Sequence, residues 1–392
     1  MRNLIEISRS ALTNNIKLFK KIIGRPPSSR GSFGTTAGLG DRLLGVAVKA
    51  NAYGHGLLEA ARVFVAAGAD WLIVDSVEEG IVLRENGLMA PVLVVGYVPL
   101  LDLEKVFDCD LRLVVYNKQT VKKLEQIAQK RRQAVRVHLK IETGTMRQGI
   151  MPKEVIPLVR SIKSKLIDIE GASTHFANIE DVLEHDFAAK QLDTFKAMVE
   201  LLKANKVPLK YIHCANSAAT ILFPKTYFNL VRIGISAYGL WPSQETKLSA
   251  VKLHRNQLQL EPALAVKSLV AQVKEVPAGS FIGYGCTYKT TKKSKIAVVP
   301  IGYYDGYDRQ LSNTAYVLIH GRRAPVRGRV CMNMLMADVS DIPNVRLEDP
   351  VILLGVQGKE EITAEQLAEW AGTINYEIVT RWRETLARKI VK

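Results

Sequence analysis

A chain of 392 residues with 47% apolar and 23% charged residues is long enough for two packed domains and has the balance of a water-soluble globular protein. No run of about 18 apolar residues occurs, which argues against a membrane-spanning helix, and Met1–Ser8 lacks the apolar core of a secretory leader, so a cytoplasmic protein is expected. The formal charge of +16 raises nucleic-acid binding, but the densest basic run, Lys289–Lys295, has no interleaved aromatic residues on which bases could stack, and a solvated surface is the reading taken.

Along the chain, a Gly-, Pro-, Ser- and Thr-rich stretch over 26–41 predicts a flexible insertion ahead of the first long-range strand. Short apolar runs then predict strands at Leu44–Val48, Trp71–Asp75, Val92–Val95, Arg112–Val115, Ala134–Ile141, Ile167–Thr174, Lys210–His213 and Asn229–Arg232. Amphipathic helical patterns lie between most of them, at Leu57–Ala67, Val77–Asn86, Asn117–Lys130, Pro152–Lys163 and Glu184–Asn205. Eight strands alternating with helices predict a (β/α)8 TIM-type barrel. A doubly wound sheet is the competing architecture, but no GxGxxG opens the first helix.

After Leu248 the texture changes to short strands at Ala263–Val273, Ser294–Pro300, Ala315–Ile319, Met334–Val339 and Pro350–Leu354, with one later helix at Thr363–Ala371. The expected organisation is a barrel over 10–248 followed by a mainly β C-terminal domain over 249–392, which the N-terminal strand 1–9 joins. Cys109, Cys214, Cys286 and Cys331 show no CxxC spacing, so neither a zinc site nor a disulfide framework is expected.

The chemistry-bearing residues fall at strand ends. Lys49 closes Val46-Ala47-Val48-Lys49 and opens a Gly-rich turn through Tyr53, a place where an amine can be desolvated into a Schiff-base nucleophile. Arg147 follows the fifth strand, His175 ends the sixth, Ser217 follows the seventh, and Arg232, Gly234 and Ile235 close the eighth. In a TIM-type barrel the C-terminal strand ends share one rim, where active sites form and where the last two loops commonly hold phosphate. The Ser217 hydroxyl and the amides near Gly234 and Ile235 suit an anion, although Ser217 alone also fits a helix N-cap, and His175 alone also fits a core histidine.

These segments resemble the alanine racemase family over nearly the whole chain. The resemblance rests on Val48-Lys49-Ala50-Asn51-Ala52-Tyr53-Gly54-His55-Gly56, Thr174-His175-Phe176-Ala177, Ala215-Asn216-Ser217 and Val231-Arg232-Ile233-Gly234-Ile235. In the second half it rests on Gly283-Tyr284-Gly285, Gly328-Arg329-Val330-Cys331-Met332-Asn333 and Asn375-Tyr376-Glu377. It implies a pyridoxal 5'-phosphate enzyme that racemises alanine to supply D-alanine for peptidoglycan, working as a head-to-tail homodimer with shared sites. Lys49 would hold the cofactor and act as one base, and Tyr284 of the neighbouring subunit as the other. Arg232 would face the pyridine nitrogen, and His175 would bridge Arg232 and Tyr284. Tyr53, Ser217, Gly234, Ile235 and Tyr376 would hold the phosphate. Arg147 and the Met332 backbone would meet the substrate carboxylate, and no metal is implied.

The chain departs from the family pattern at Glu142, Met146 and Asn333, where the family more often carries an aspartate, a small residue and an aspartate. Lys140 matches a position that some members carbamylate, and Asn333 makes an added anion there useful. A fold-related amino-acid decarboxylase would place an acid at the pyridine nitrogen, and a non-catalytic cofactor carrier would lack a second domain, so Arg232 and Tyr284 favour the racemase. Alanine is the expected substrate, with serine activity within reach of the same chemistry.

Overall fold

The computed structural model describes residues 2–24, 42–180, 184–254 and 258–392. The expected insertion at 26–41 lies outside them. The chain divides into two compact units, one of Ala11–Ala50 with Ala60–Glu261, the other of Met1–Ser10 with Asn51–Glu59 and Pro262–Lys392.

After β1 (Leu4–Ser8), which belongs to the β-rich unit, the chain runs through β2 (Leu43–Ala47), β3 (Trp71–Val74), β4 (Val92–Val94), β5 (Arg112–Val115), β6 (Val135–Lys140), β7 (Ile167–Ser173), β8 (Tyr211–His213) and β9 (Leu230–Ile233). These eight pair in parallel in the order β8-β7-β6-β5-β4-β3-β2-β9, a nearly closed barrel. The two end strands meet through single bonds: Arg232 N–H donates to the Ala215 carbonyl at 3.0 Å, and Ile212 N–H to Asn229 Oδ1 at 2.8 Å. Strands buried on both faces read as apolar runs rather than alternations, as in Trp71–Val74 and Arg112–Val115, every residue of which is buried. The helix Lys118–Arg131 shows how the sequence builds the outer layer. Asn117 caps it by accepting from Thr120 N–H, and Val121, Leu124, Ile127 and Ala128 turn inward at helical spacing.

The β-rich unit holds a sheet in the order β14-β13-β16-β10-β1-β18, with β17 added on β16, and a three-stranded sheet β11-β12-β15. Its members are β10 (Leu264–Leu269), β11 (Gln272–Val276), β12 (Ser294–Val299), β13 (Tyr316–Ile319), β14 (Arg322–Pro325), β15 (Leu335–Asp338), β16 (Pro350–Gln357), β17 (Glu360–Ile362) and β18 (Ala387–Val391). The single strand expected over Ala263–Val273 is two strands in different sheets. The chain changes sheets at buried Val270, whose N–H goes to the Asp349 carbonyl while the Ala271 N–H goes to Val298. No Gly or Pro punctuates Leu269-Val270-Ala271-Gln272, so the sequence carries no turn signal at that step. The helices Arg9–Gly24, Leu103–Asp108 and Asn375–Thr380, and strand β18, are elements the sequence reading did not include.

Candidate active site at the barrel rim

Because all eight strands are parallel, Lys49, Asp75, Glu142, His175, Ser217 and Gly234 follow β2, β3, β6, β7, β8 and β9 on one rim. The Lys49 Nζ lies 3.2 Å from Asp75 Oδ1. The desolvated amine expected from the sequence is not found within this chain: the Lys49 side chain is 40% exposed and ion-paired. Beyond it the backbone does something unusual for L-residues. Ala50, Asn51, Ala52 and Tyr53 all have φ between +52° and +54°, one left-handed helical turn. Such backbone costs about 1–2 kcal/mol per residue, so it persists only where neighbours over-determine it. Glu79 supplies part of that hold. Its Oε1 accepts from Ala50 N–H at 2.7 Å, and its Oε2 from Asp75 N–H at 2.7 Å and Ser76 N–H at 3.3 Å. One carboxylate therefore braces both the turn after Lys49 and the acid paired with it.

Arg147 sits in a loop tied down around Glu142, which accepts from Gly144 and Thr145 N–H at 2.7 Å each. Burial alone would raise the Glu142 carboxyl, but these and neighbouring amides outweigh it and hold it below the usual carboxylate range. Met146 takes a left-handed φ of +51° and points its bulk to solvent, so the larger residue beside Arg147 is accommodated by exposure. Thr145 Oγ1 closes the loop on the His175 carbonyl at 2.7 Å.

Ser217 is not a helix cap. Asn216 caps the turn by accepting from Ala219 N–H, while Ser217 Oγ accepts from Gly234 N–H at 2.9 Å. Ile235 opens a 3-10 turn, so its N–H precedes the first helical bond, and Ser236 Oγ is buried with no partner among the described residues. This corner of hydroxyls and amides, with an orphaned buried oxygen, fits a phosphate.

Arg232 donates through Nη1 to the His213 carbonyl at 2.9 Å and to His213 Nδ1, and through Nη2 to the Thr174 carbonyl at 2.8 Å. Burial lowers its guanidinium to about 10, which still leaves it charged at neutral pH. Among the described residues the ring accepting from Arg232 is that of His213; His175 makes no hydrogen bond to it. His175 is held well below the ordinary imidazole range by burial and then by Lys140, Arg232, Arg147 and Lys49. Burial, followed by Arg232 and Arg147, likewise lowers Lys140 well below the ordinary amine range. Sequence reasoning missed Asp75, Glu79, Glu170, His138 and His213. His138, Glu170 and His213 lie within barrel strands and Asp75 directly after one, as polar breaks in apolar runs, while Glu79 stands three residues after Ser76 at capping-box spacing.

In the β-rich unit Tyr53 and Tyr376 lie with ring centroids 6.2 Å apart. Gly54 is required between the left-handed turn and its neighbour: a Cβ there would lie 1.9 Å from the Val379 carbonyl oxygen. Tyr284, 72% exposed, and Met332 line a cavity of about 700 Å3 together with Arg309, Arg329 and Asn333. The Met332 carbonyl is engaged by Tyr304 N–H at 2.9 Å, so the backbone group it can offer a carboxylate is its N–H.

Residues 34–242 match the family model for the alanine racemase N-terminal domain, and 263–390 that for the alanine racemase C-terminal domain. The chain belongs to the alanine racemase family. It is 43% identical over 333 residues to the alanine racemase of Halothermothrix orenii, covering 85% of this chain and 86% of that one. To the alanine racemase of Methanococcus maripaludis it is 39% identical over 378 residues, 95% of this chain and 94% of that relative. The Bacillus anthracis alanine racemase structure with bound L-Ala-P matches at a TM-score of 0.89 and 35% identity, covering 100% of this chain and 95% of that chain. The (β/α)8 barrel and mainly β C-terminal half are thus the architecture of alanine racemases. Among the described residues no helix is long and apolar enough to cross a membrane, and no group of three or more His, Cys, Asp or Glu could hold a metal ion.

Proposed function

We propose that this chain interconverts L- and D-alanine with pyridoxal 5'-phosphate, acting in the cytoplasm to supply D-alanine for peptidoglycan. The observation that carries the reading is the rim itself. Lys49, Arg232 and the Ser217–Gly234 corner converge at the strand ends of one barrel in a chain of the alanine racemase family. Lys49 would hold the cofactor, and Ser217, the amides of Gly234 and Ile235, Tyr53 and Tyr376 its phosphate. Bound there, pyridoxal phosphate supplies an electron-withdrawing ring that takes up the charge left when the substrate Cα loses its proton.

Racemisation needs two proton-transfer groups on opposite faces of Cα. Lys49 Nζ removes or returns the proton on one face, and Tyr284 Oη, from a second copy in a head-to-tail homodimer, serves the other. The exposure of Tyr284 supports a tyrosine that acts outside its own chain. Arg232 would present an N–H to the ring nitrogen; a guanidinium does not give up its proton readily, so it would leave that nitrogen unprotonated and suppress side reactions that need a stronger electron sink. This favours racemase over a fold-related decarboxylase. His175 would lie between Arg232 and Tyr284, and Arg147 and the Met332 N–H would hold the substrate carboxylate. Burial and the neighbouring guanidinium groups favour the uncharged form of the Lys140 amine, the form that carbamylation requires, and an added carboxyl mass on Lys140 would establish that modification.

An absorbance scan paired with an L- to D-alanine assay tests the reading. A cofactor band absent from Lys49→Ala, with racemisation crippled in Lys49→Ala and Tyr284→Phe, is the expected result. A wild-type band without racemisation would point to decarboxylase or carrier chemistry, and the absence of any band would overturn the reading.

A further inference from the structure

Within the barrel, below the rim, five polar side chains form one continuous line. Arg112 Nε donates to Glu170 Oε1 at 3.2 Å, His138 Nε2 lies 3.2 Å from the same oxygen, and His138 Nδ1 lies 2.7 Å from His213 Nε2. His213 Nδ1 faces Arg232 Nη1. Arg112, Glu170, His138 and His213 are all buried. Buried polar groups this close must alternate donor and acceptor, and here the alternation has a single solution.

A guanidinium only donates, so His213 Nδ1 must accept from Arg232. The His213 proton therefore sits on Nε2 and points at His138 Nδ1, which must accept in turn. That places the His138 proton on Nε2, directed at Glu170. At the far end Glu170, ionised beside Arg112, can only accept. Burial raises its carboxyl, yet His138 and Arg112 bring it below the ordinary range, while burial lowers both imidazoles. Solved from either end, the line gives the same pair of neutral Nε2–H tautomers. A proton added to either ring would set donor against donor.

The chain makes room for this arrangement. A Cβ on Gly171 would lie 2.5 Å from His138 Nδ1 and 2.7 Å from its Cγ. The His138 ring is also held in plane by Tyr211, stacked at 5.8 Å and 12°, and by the edge of Trp71 at 5.6 Å.

We infer that Glu170 and His138 are positioning residues: they fix the tautomer of His213 and, through it, the aim of the Arg232 guanidinium at the rim. The inference rests on the reading that Arg232 meets the cofactor ring nitrogen. It adds that the orientation of this donor is set from the barrel floor, by groups that touch neither cofactor nor substrate. Such a line keeps the positive charge on Arg232 and off the imidazoles, so Arg232 can serve only as a donor.

Nitrogen-15 imidazole NMR on the purified protein tests this without substrate. The chain has seven histidines, and His138→Phe and His213→Phe each remove one signal and so assign it. At neutral pH both rings should be neutral with the proton on Nε2. An Nδ1–H tautomer or an imidazolium at either ring would overturn the inference. A kinetic cycle supplies the second test. His138→Phe should lower kcat on the order of tenfold, as loss of an orienting partner does behind metal-bound histidines, and should cost nothing further in an Arg232→Ala background. The same loss in both backgrounds would mean a merely structural role and would also overturn it. If His138→Phe does not fold, Gly171→Ala, which presses on the same ring, replaces it in the cycle. A chain that neither binds the cofactor nor racemises alanine would sink the proposed function, and the tautomers would still decide the relay.

Discussion

The barrel rim and the loop carrying Tyr284 hold their candidate reactive groups in opposite ways. At the rim, side chains are locked by partners in the same chain: Arg232 by His213 and Thr174, the Lys49 turn by Glu79, the Arg147 loop by Glu142. Around Tyr284 the backbone carries the constraint. Gly283 and Gly285 have φ of +71° and +70°, a Cβ on Gly285 would lie 2.8 Å from the Arg329 guanidinium, and the tyrosine itself is exposed. The first region is preorganised by hydrogen bonds. The second presents one exposed aromatic from a loop of left-handed glycines, open to a group from another molecule.

That contrast can be broken or sharpened by substitution. Lys49→Ala should have the largest effect, abolishing the cofactor band and lowering racemisation by about 10^3-fold or more, measured as D-alanine formed. Tyr284→Phe should cost about 10^2- to 10^3-fold in racemisation yet leave the band unchanged, because the phenol oxygen moves a proton and does not hold the cofactor. Loss of the band in Tyr284→Phe would blur the division of labour. Glu79→Ala leaves the Ala50, Asp75 and Ser76 amides without their carboxylate and should lower unfolding free energy by about 1–3 kcal/mol in urea titrations. An unchanged midpoint would mean that the left-handed turn is held by other contacts.

The smallest effect concerns pH. The Glu142 carboxyl is depressed in the folded chain, so its contribution to stability is complete above the ordinary carboxylate pKa of 4.5 and is lost as pH falls through its lower folded value. Wild type should therefore be the more stable form at pH 7, and the gap to Glu142→Gln should close on acidification below pH 4.5, followed by urea midpoints. A gap that widens in acid would reverse the sign of the argument.

The barrel was legible because its signals are local and repeated. Apolar runs such as Trp71–Val74 alternate with helical patterns, and parallel topology alone puts Lys49, His175, Ser217 and Gly234 on one rim. Roles were less legible where they depend on which partner a side chain finds. Nothing in the order of residues states that Arg232 turns to His213 rather than His175, or that Glu79, thirty positions past Lys49, braces the following turn. The left-handed turn was hidden for a physical reason: two of its residues are alanines, which carry no local preference for positive φ. Tyr284 and Met332 had no pattern of their own, and only the resemblance of Gly283-Tyr284-Gly285 and Arg329-Val330-Cys331-Met332 singled them out. The change of sheet at Val270 escaped because no Gly or Pro punctuates the run Leu269-Val270-Ala271-Gln272.

The central claim is that one working site takes Lys49 from one copy and Tyr284 from another, and subunit mixing tests it most directly. Lys49→Ala and Tyr284→Phe proteins, each nearly inactive, would be combined under conditions that let subunits exchange, and D-alanine formation followed. Random pairing gives mixed dimers in which one of two sites is intact, so activity should recover to about a quarter of wild type. A mixture as inactive as its parents, with exchange verified by differently tagged copies, would contradict the shared site.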